Sequence, residues 1–262
     1  MTNAQPMPAV FVGHGNPMNA LADNEYSRGW RELARSMPKP RAIVSVSAHW
    51  YIPATAVTMM EQPRTIHDFG GFPRALYEIQ YPAPGDPALA ARVAELLKPT
   101  DVERDEAGWG LDHGTWAVLC HMYPEADVPV IQLSLDETKP AAFHYELGRL
   151  LASLRDEGVL VFGSGNIVHN LHAYAWGDEA REPYDWAVRF ETDARRWLVG
   201  HEHDPLIDYE DLGREAHLSI PTPEHYLPLL YVIASCRGED QVSFPVHGFD
   251  GGSVSMLTVR VG

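Results

Sequence analysis

Three short apolar runs, each with a histidine at or just beyond its end, constrain this chain more than any other feature. The first, residues 9–12 (Ala-Val-Phe-Val), reads as a buried strand and breaks at once into Gly13-His14-Gly15-Asn16-Pro17, which cannot continue an extended strand. The flanking glycines let the backbone turn sharply and keep space open around the imidazole. The second run, residues 43–48, leads into His49-Trp50. The third, residues 159–162, leads into Gly163-Ser164-Gly165-Asn166-Ile167-Val168-His169-Asn170. Ligands of open α/β sheets sit outside the carboxyl ends of the strands. Three imidazoles delivered there form a candidate metal site if their strands share one sheet edge, because neutral imidazole binds Fe(II), Zn(II) or Cu(II) well.

The remaining sequence supplies the other elements of such a sheet. Helical spacing of Tyr26, Trp30, Leu33 and Ala34 predicts a helix over residues 24–36, capped by Asp23. Further helices are predicted over 86–97, from Trp116 to about Tyr123, and over 185–200 and 224–234. The most amphipathic stretch is 140–157, with Phe143, Leu147, Leu150, Leu151 and Leu154 on one stripe. Strands are expected at 43–47, 56–60, 128–133 and 159–162, with a polar edge strand at 101–105. A closing hairpin of 242–247 and 253–261 is expected, joined by Gly-Phe-Asp-Gly-Gly. Residues 62–84 form a long irregular segment containing His67-Asp68-Phe69-Gly70-Gly71-Phe72-Pro73; such loops often serve as lids or binding walls. Strands alternating with helices, without an internal repeat, predict one α/β domain over 1–262. Its central sheet is expected to be mostly parallel or mixed, with helices on both faces and the active site at strand carboxyl ends.

Charge narrows the partners. With 36 Asp and Glu against 20 Lys and Arg, the chain is a poor candidate for nucleic-acid or anionic-membrane binding and suits a small-molecule substrate. The first basic residue is Arg28, so the opening segment lacks the basic region of a signal peptide. The longest apolar runs, such as 227–236, are too short to span a bilayer. A cytoplasmic location is expected. Cys120 and Cys236 show no CxxC spacing, which argues against a disulfide framework or a thiolate zinc site.

Thirteen histidines are many for this length. His121, His144, His201, His203 and His217 lack supporting neighbours and read as structural or solvent-exposed. His225, beside Glu224 and after Pro221 and Pro223, is the natural fourth member of the set formed by His14, His49 and His169. That pair offers a metal either an imidazole or a carboxylate. His113, between Asp112 and Gly114, suits substrate contact or proton transfer, and Trp50 and Tyr226 are candidate pocket-lining aromatics. The residues leave two alternatives to oxygen chemistry. One is a zinc hydrolase that activates water with the same histidines. The other is a non-catalytic zinc protein whose site is closed tetrahedrally by His14, His49, His169 and His225.

Six segments occur together and in this order in one family. They are Gly13-His14-Gly15-Asn16-Pro17, Ser47-Ala48-His49-Trp50, the 67–73 loop, Leu111-Asp112-His113-Gly114-Thr115-Trp116, the 163–170 segment and Pro221-Thr222-Pro223-Glu224-His225-Tyr226. From about residue 8 to 261 the chain resembles the 4,5-DOPA extradiol dioxygenases, within the class III, protocatechuate-4,5-dioxygenase-like ring-cleavage group. The resemblance implies a single-domain α/β fold, one divalent metal per chain and a catechol, L-DOPA first, opened by O2 to a muconate semialdehyde. It implies His14, His49 and His225 as metal ligands, His169 as a fourth ligand or the acid/base, and His113 as a contact to substrate. The wider group uses two histidines and a carboxylate, whereas the third position here is His225, preceded by Glu224. Zn(2+) goes with this branch, and Fe(2+) is expected for oxygen chemistry because zinc has no redox activity.

Overall fold

Alternation along the first strand assigns both faces of the sheet. The computed structural model describes residues 6–177 and 181–262. In β1 (Ala9–Gly13), Ala9 and Phe11 enter one hydrophobic core while Val10 and Val12 enter another. A strand buried on both faces needs apolar residues at successive positions rather than alternate ones. β2 (Ala42–Ile52) continues the scheme, followed by β3 (Ala56–Thr58), β4 (Glu103–Asp105), β5 (Val130–Asp136) and β6 (Val159–Gly165). The C-terminal strands are short: β7 (Val242–Ser243), β8 (Phe249–Asp250), β9 (Val254–Ser255) and β10 (Thr258–Val261). The main sheet has the order β4-β3-β5-β2-β6-β1-β10-β7, and β8 and β9 form a separate hairpin. Its centre, β5-β2-β6-β1, is parallel, while β10 pairs antiparallel with β1 and β3 antiparallel with β5. The sheet is thus mixed and mostly parallel.

Helices cover both faces. On the Val10 side lie α1 (Glu25–Arg35), the single turn α2 (Arg74–Tyr77) and the buried α4 (His113–Met122); α3 (Pro87–Leu96) lies on the Phe11 side. That side is completed by α5 (Ala141–Leu151), α6 (Asp185–Gly200), α7 (Asp204–Ile207), α8 (Arg214–Ser219) and the fully buried α9 (Leu227–Ala234). No helix among the described residues is long and apolar enough to cross a membrane.

Several boundaries differ from the sequence reading for local reasons. Asn24, not Asp23, caps α1, because Asn24 and Ser27 exchange side-chain and backbone hydrogen bonds in a capping box. Asp23 pairs instead with Arg28 and Arg31. The 140–157 stripe is two pieces, α5 and then a 3-10 turn over Ala152–Glu157. The helix expected from 224 begins only at Leu227, leaving Glu224 and His225 in the preceding turn. Phe249 and Asp250, expected as hairpin connectors, are themselves the strand that pairs with β9.

Candidate active site

The ends of β1, β2 and β6 lie level: Gly13 is in register with Gly165, and Ser47 with Ser164. The Gly165 carbonyl accepts from the His14 backbone N–H at 3.0 Å, and the next amide, Asn166 N–H, donates to the His225 carbonyl at 2.8 Å. The tip of β6 therefore positions two histidines through main-chain bonds. A Cβ at Gly165 would collide with the His225 carbonyl, so only glycine permits this approach. Gly15 adopts φ of +59°, the left-handed region, immediately after the first histidine. His49 enters from within β2 rather than beyond its end, where the register with β5 shifts between Val46 and Tyr51. Such irregularities re-aim side chains next to functional sites.

His14, His49 and His225 each bring one ligand nitrogen into a group whose atoms all lie within 4.8 Å of one another. Each ring is oriented by an oxygen at Nδ1. The Ser164 hydroxyl donates to the Gly114 carbonyl, so its oxygen accepts from His14 Nδ1–H at 2.9 Å. Asp68 Oδ2 lies 3.3 Å from His49 Nδ1, and Glu224 Oε1 lies 3.0 Å from His225 Nδ1. Protons held at Nδ1 leave lone pairs at Nε2. The Nε2 atoms of His14 and His49 lie 3.1 Å apart. Two facing lone pairs repel at that distance unless a cation lies between them. Imidazoles bound at 2.0–2.1 Å in tetrahedral geometry place their nitrogens about 3.3 Å apart. The donor set fits a divalent ion.

His169 lies outside this trio and groups instead with Glu224 and His225. Its ring stacks on His225 at 3.5 Å between centroids and 9° between planes. His113, at the start of α4, donates its backbone N–H and its Nδ1–H to the two Asp68 oxygens, both at 2.9 Å, with its ring 3.9 Å from that of His49. Asp112 caps α4 and accepts from Ser47 Oγ and Gln132 Nε2, both at 2.7 Å, tying the helix start to β2 and β5.

The electrostatics follow from crowding imidazoles in a buried place. Burial, then the neighbouring imidazoles, hold His14 and His225 well below the usual histidine range. Burial brings His49 to about 3 and His169 to about 4, although Asp68 and Glu224 oppose the shifts at His49 and Glu224 opposes that at His169. All four are neutral at pH 7, the form that binds a metal or accepts a proton. Asp68 moves the other way. Burial pushes its carboxyl up, but the His113 hydrogen bonds and the electrostatic pull of the His113 and His49 rings outweigh it and bring it to about 2.

The trio opens into a cleft of about 250 Å³ that His113, His169, Phe72, Tyr174, Trp176 and Asp250 also line. Its size suits a single-ring ligand, given that drug-sized ligands need about 300–1,000 Å³. Five residues singled out in the sequence, His14, His49, His113, His169 and His225, converge here. Two others do not. Trp50 stacks on Trp109 at 5.7 Å and 4° in a separate groove beside β4. Adjacent strand residues point to opposite faces, so aiming His49 at the cleft sends Trp50 away from it. Tyr226 is fully buried, donates to the Leu206 carbonyl at 2.7 Å and packs on Tyr209, making it a core residue. Sequence reasoning gave no role to Asp68, Ser164, Tyr174 or Asp250. A carboxylate in the long 62–84 loop was the available signal for Asp68, and a polar residue at an inward strand position was the signal for Ser164.

Residues 8–220 match the family described as the catalytic LigB subunit of aromatic ring-opening dioxygenase. The chain is 54% identical over 260 residues to the 4,5-DOPA dioxygenase extradiol of Escherichia coli (strain K12), covering 98% of this chain and 95% of that protein. It is 39% identical over 253 residues to the Beta vulgaris protein of the same name, covering 94% and 92%. The crystal structure of an uncharacterized Escherichia coli K12 protein superposes with a TM-score of 0.86 at 49% identity, covering 98% of this chain and all of that one.

Proposed function

This chain belongs to the aromatic ring-opening dioxygenase family, and from that premise we propose that it opens L-DOPA by extradiol 4,5-cleavage to a muconate semialdehyde. The observation that carries the reading is the trio of Nε2 lone pairs at the floor of a cleft sized for one ring. His14, His49 and His225 would hold the divalent ion. When bound there, such an ion would supply acidification of the substrate hydroxyls and, for Fe(2+) but not Zn(2+), redox chemistry toward dioxygen.

The protein's own groups do the rest. His169 is neutral at pH 7 and sits at the cleft wall, where it accepts a catechol proton and returns it later in the cycle. Such acid–base help is worth about 10²–10⁴-fold. His113, fixed by both Asp68 oxygens, contacts the substrate diol. Phe72 brings an apolar wall from the 62–84 loop and excludes water from the ring. Ser164, Asp68 and Glu224 keep the three ligand rings in the tautomer that points Nε2 inward. A closed four-histidine zinc site fits less well, because His169 stands against His225 rather than with the trio. A hydrolase fits less well with the dioxygenase family.

The test is to load metal-free protein with Fe(2+) under anaerobic conditions, add L-DOPA and then admit air. Oxygen uptake and a yellow product are expected. Intact catechol with no oxygen consumed refutes the assignment.

A further inference from the structure

The far end of the cleft is built differently from its histidine floor. Asp250 lines it, beside Asn16, Tyr174 and Trp176. Tyr174 shares this lining with Asp250 and Asn16; its ring packs against Gly251, next to Asp250, and the Ala175 backbone N–H donates to the Gly251 carbonyl at 3.0 Å. Asp250 forms no salt bridge with any described residue, and no Lys or Arg is among the described residues lining the cleft. Trp176 and Leu171, also in the lining, are 71% and 45% exposed, apolar surface that a bound ligand would cover.

The strand register sets the distance. Asp250 pairs with Val254, and Val254 bridges to His169. Neighbouring strands lie about 4.8 Å apart, so two steps put the Asp250 backbone about 10 Å from that of His169. That span matches a catechol ring carrying a two-carbon side chain that ends in a charged group.

We propose that Asp250, beside Tyr174 and Trp176, is the specificity-determining residue that receives the side-chain ammonium of the substrate. A lone carboxylate flanked by aromatic faces attracts a cation by direct pairing and by cation–π contact. The same wall offers nothing to neutralise a substrate carboxylate. The site therefore selects catechols bearing an amine, whether or not they carry an acid, and disfavours catechols bearing only an acid. This inference rests on the ring-opening reading for its ligand class.

The experiment compares dopamine, 4-ethylcatechol and 3,4-dihydroxyphenylpropionate with wild-type protein, Asp250→Asn and Tyr174→Leu. Anaerobic equilibrium binding to the Fe(2+)-loaded protein is followed by tryptophan fluorescence, and turnover by oxygen uptake. Asp250→Asn is expected to lower the dopamine-to-ethylcatechol affinity ratio about tenfold and to narrow the discrimination against the acid. Tyr174→Leu, which removes the aromatic ring, is expected to shift the ratio the same way by a smaller factor. An unchanged ratio overturns the proposal, as does an equal loss for all three catechols. If ethylcatechol binds but no catechol is cleaved by wild-type protein, the ring-opening reading fails, while the binding ratios still decide the role of Asp250.

Discussion

Replacing Asp68 by Asn tests whether the long loop acts on the metal site. The exchange preserves shape and leaves Oδ1 to accept from the His113 backbone N–H at 2.9 Å. It replaces Oδ2, the negative oxygen 2.9 Å from His113 Nδ1 and 3.3 Å from His49 Nδ1, by an NH2 group that faces two ring N–H donors. One charge-assisted bond is worth about 1.5–3 kcal/mol. Outer partners of ligating histidines change metal affinity by about 10–100-fold, or roughly 1.4–2.7 kcal/mol. The two routes agree, so Asp68→Asn is expected to weaken Fe(2+) binding by about 10–100-fold and to destabilise the metal-free protein by about 1–3 kcal/mol. Chelator competition under anaerobic conditions measures the first, and urea unfolding of metal-free protein the second. Saturating Fe(2+) is expected to restore part of the turnover, because the three Nε2 donors remain. Wild-type metal affinity in a folded Asp68→Asn protein refutes the claim that this carboxylate orients His49.

Three further outcomes are expected. His169→Ala keeps stoichiometric metal and loses about 10²–10⁴-fold in kcat; loss of metal from the variant makes His169 a ligand instead. Metal-free protein loses stability as pH falls below about 6.5. The unfolded histidines protonate there, while folded His49 and His169 resist protonation down to about 3 and about 4. Each such group lowers stability by up to ~1.4 kcal/mol per pH unit across that window, which thermal melts between pH 5 and 8 detect; a flat profile contradicts the buried neutral cluster. Tyr226→Phe removes the bond to the Leu206 carbonyl and lowers stability by about 1 kcal/mol without changing KM, whereas a raised KM returns Tyr226 to the cleft wall.

Apolar runs ending in Gly-His, small residue-His and Gly-Ser-Gly patterns were enough to infer an α/β sheet with imidazoles gathered at one edge. Both the run lengths and the breakers are local, and local chemistry is what a linear chain displays. The direction of a side chain within a strand is also local, yet it was missed at Trp50, because the extent of β2 past Ser47 depends on its pairing with β5. Tyr226 shows the same limit at a helix start, where the 221–226 turn, held by the Asn166–His225 bond, decides which neighbour faces the cleft and which enters the core.

The order of histidines, glycines and prolines along the chain determined which imidazoles were available and kept space around them. Tertiary structure alone decided which of them share a point. His169, given by its context as ligand or acid/base, stacks its ring on His225 and groups with Glu224 and His225. Asp68 and Ser164 acquire their partners from residues 19, 45 and 150 positions away. Hydrogen bonds and charge act over a few ångströms of space, and the sheet register, not distance along the chain, sets which groups come that close.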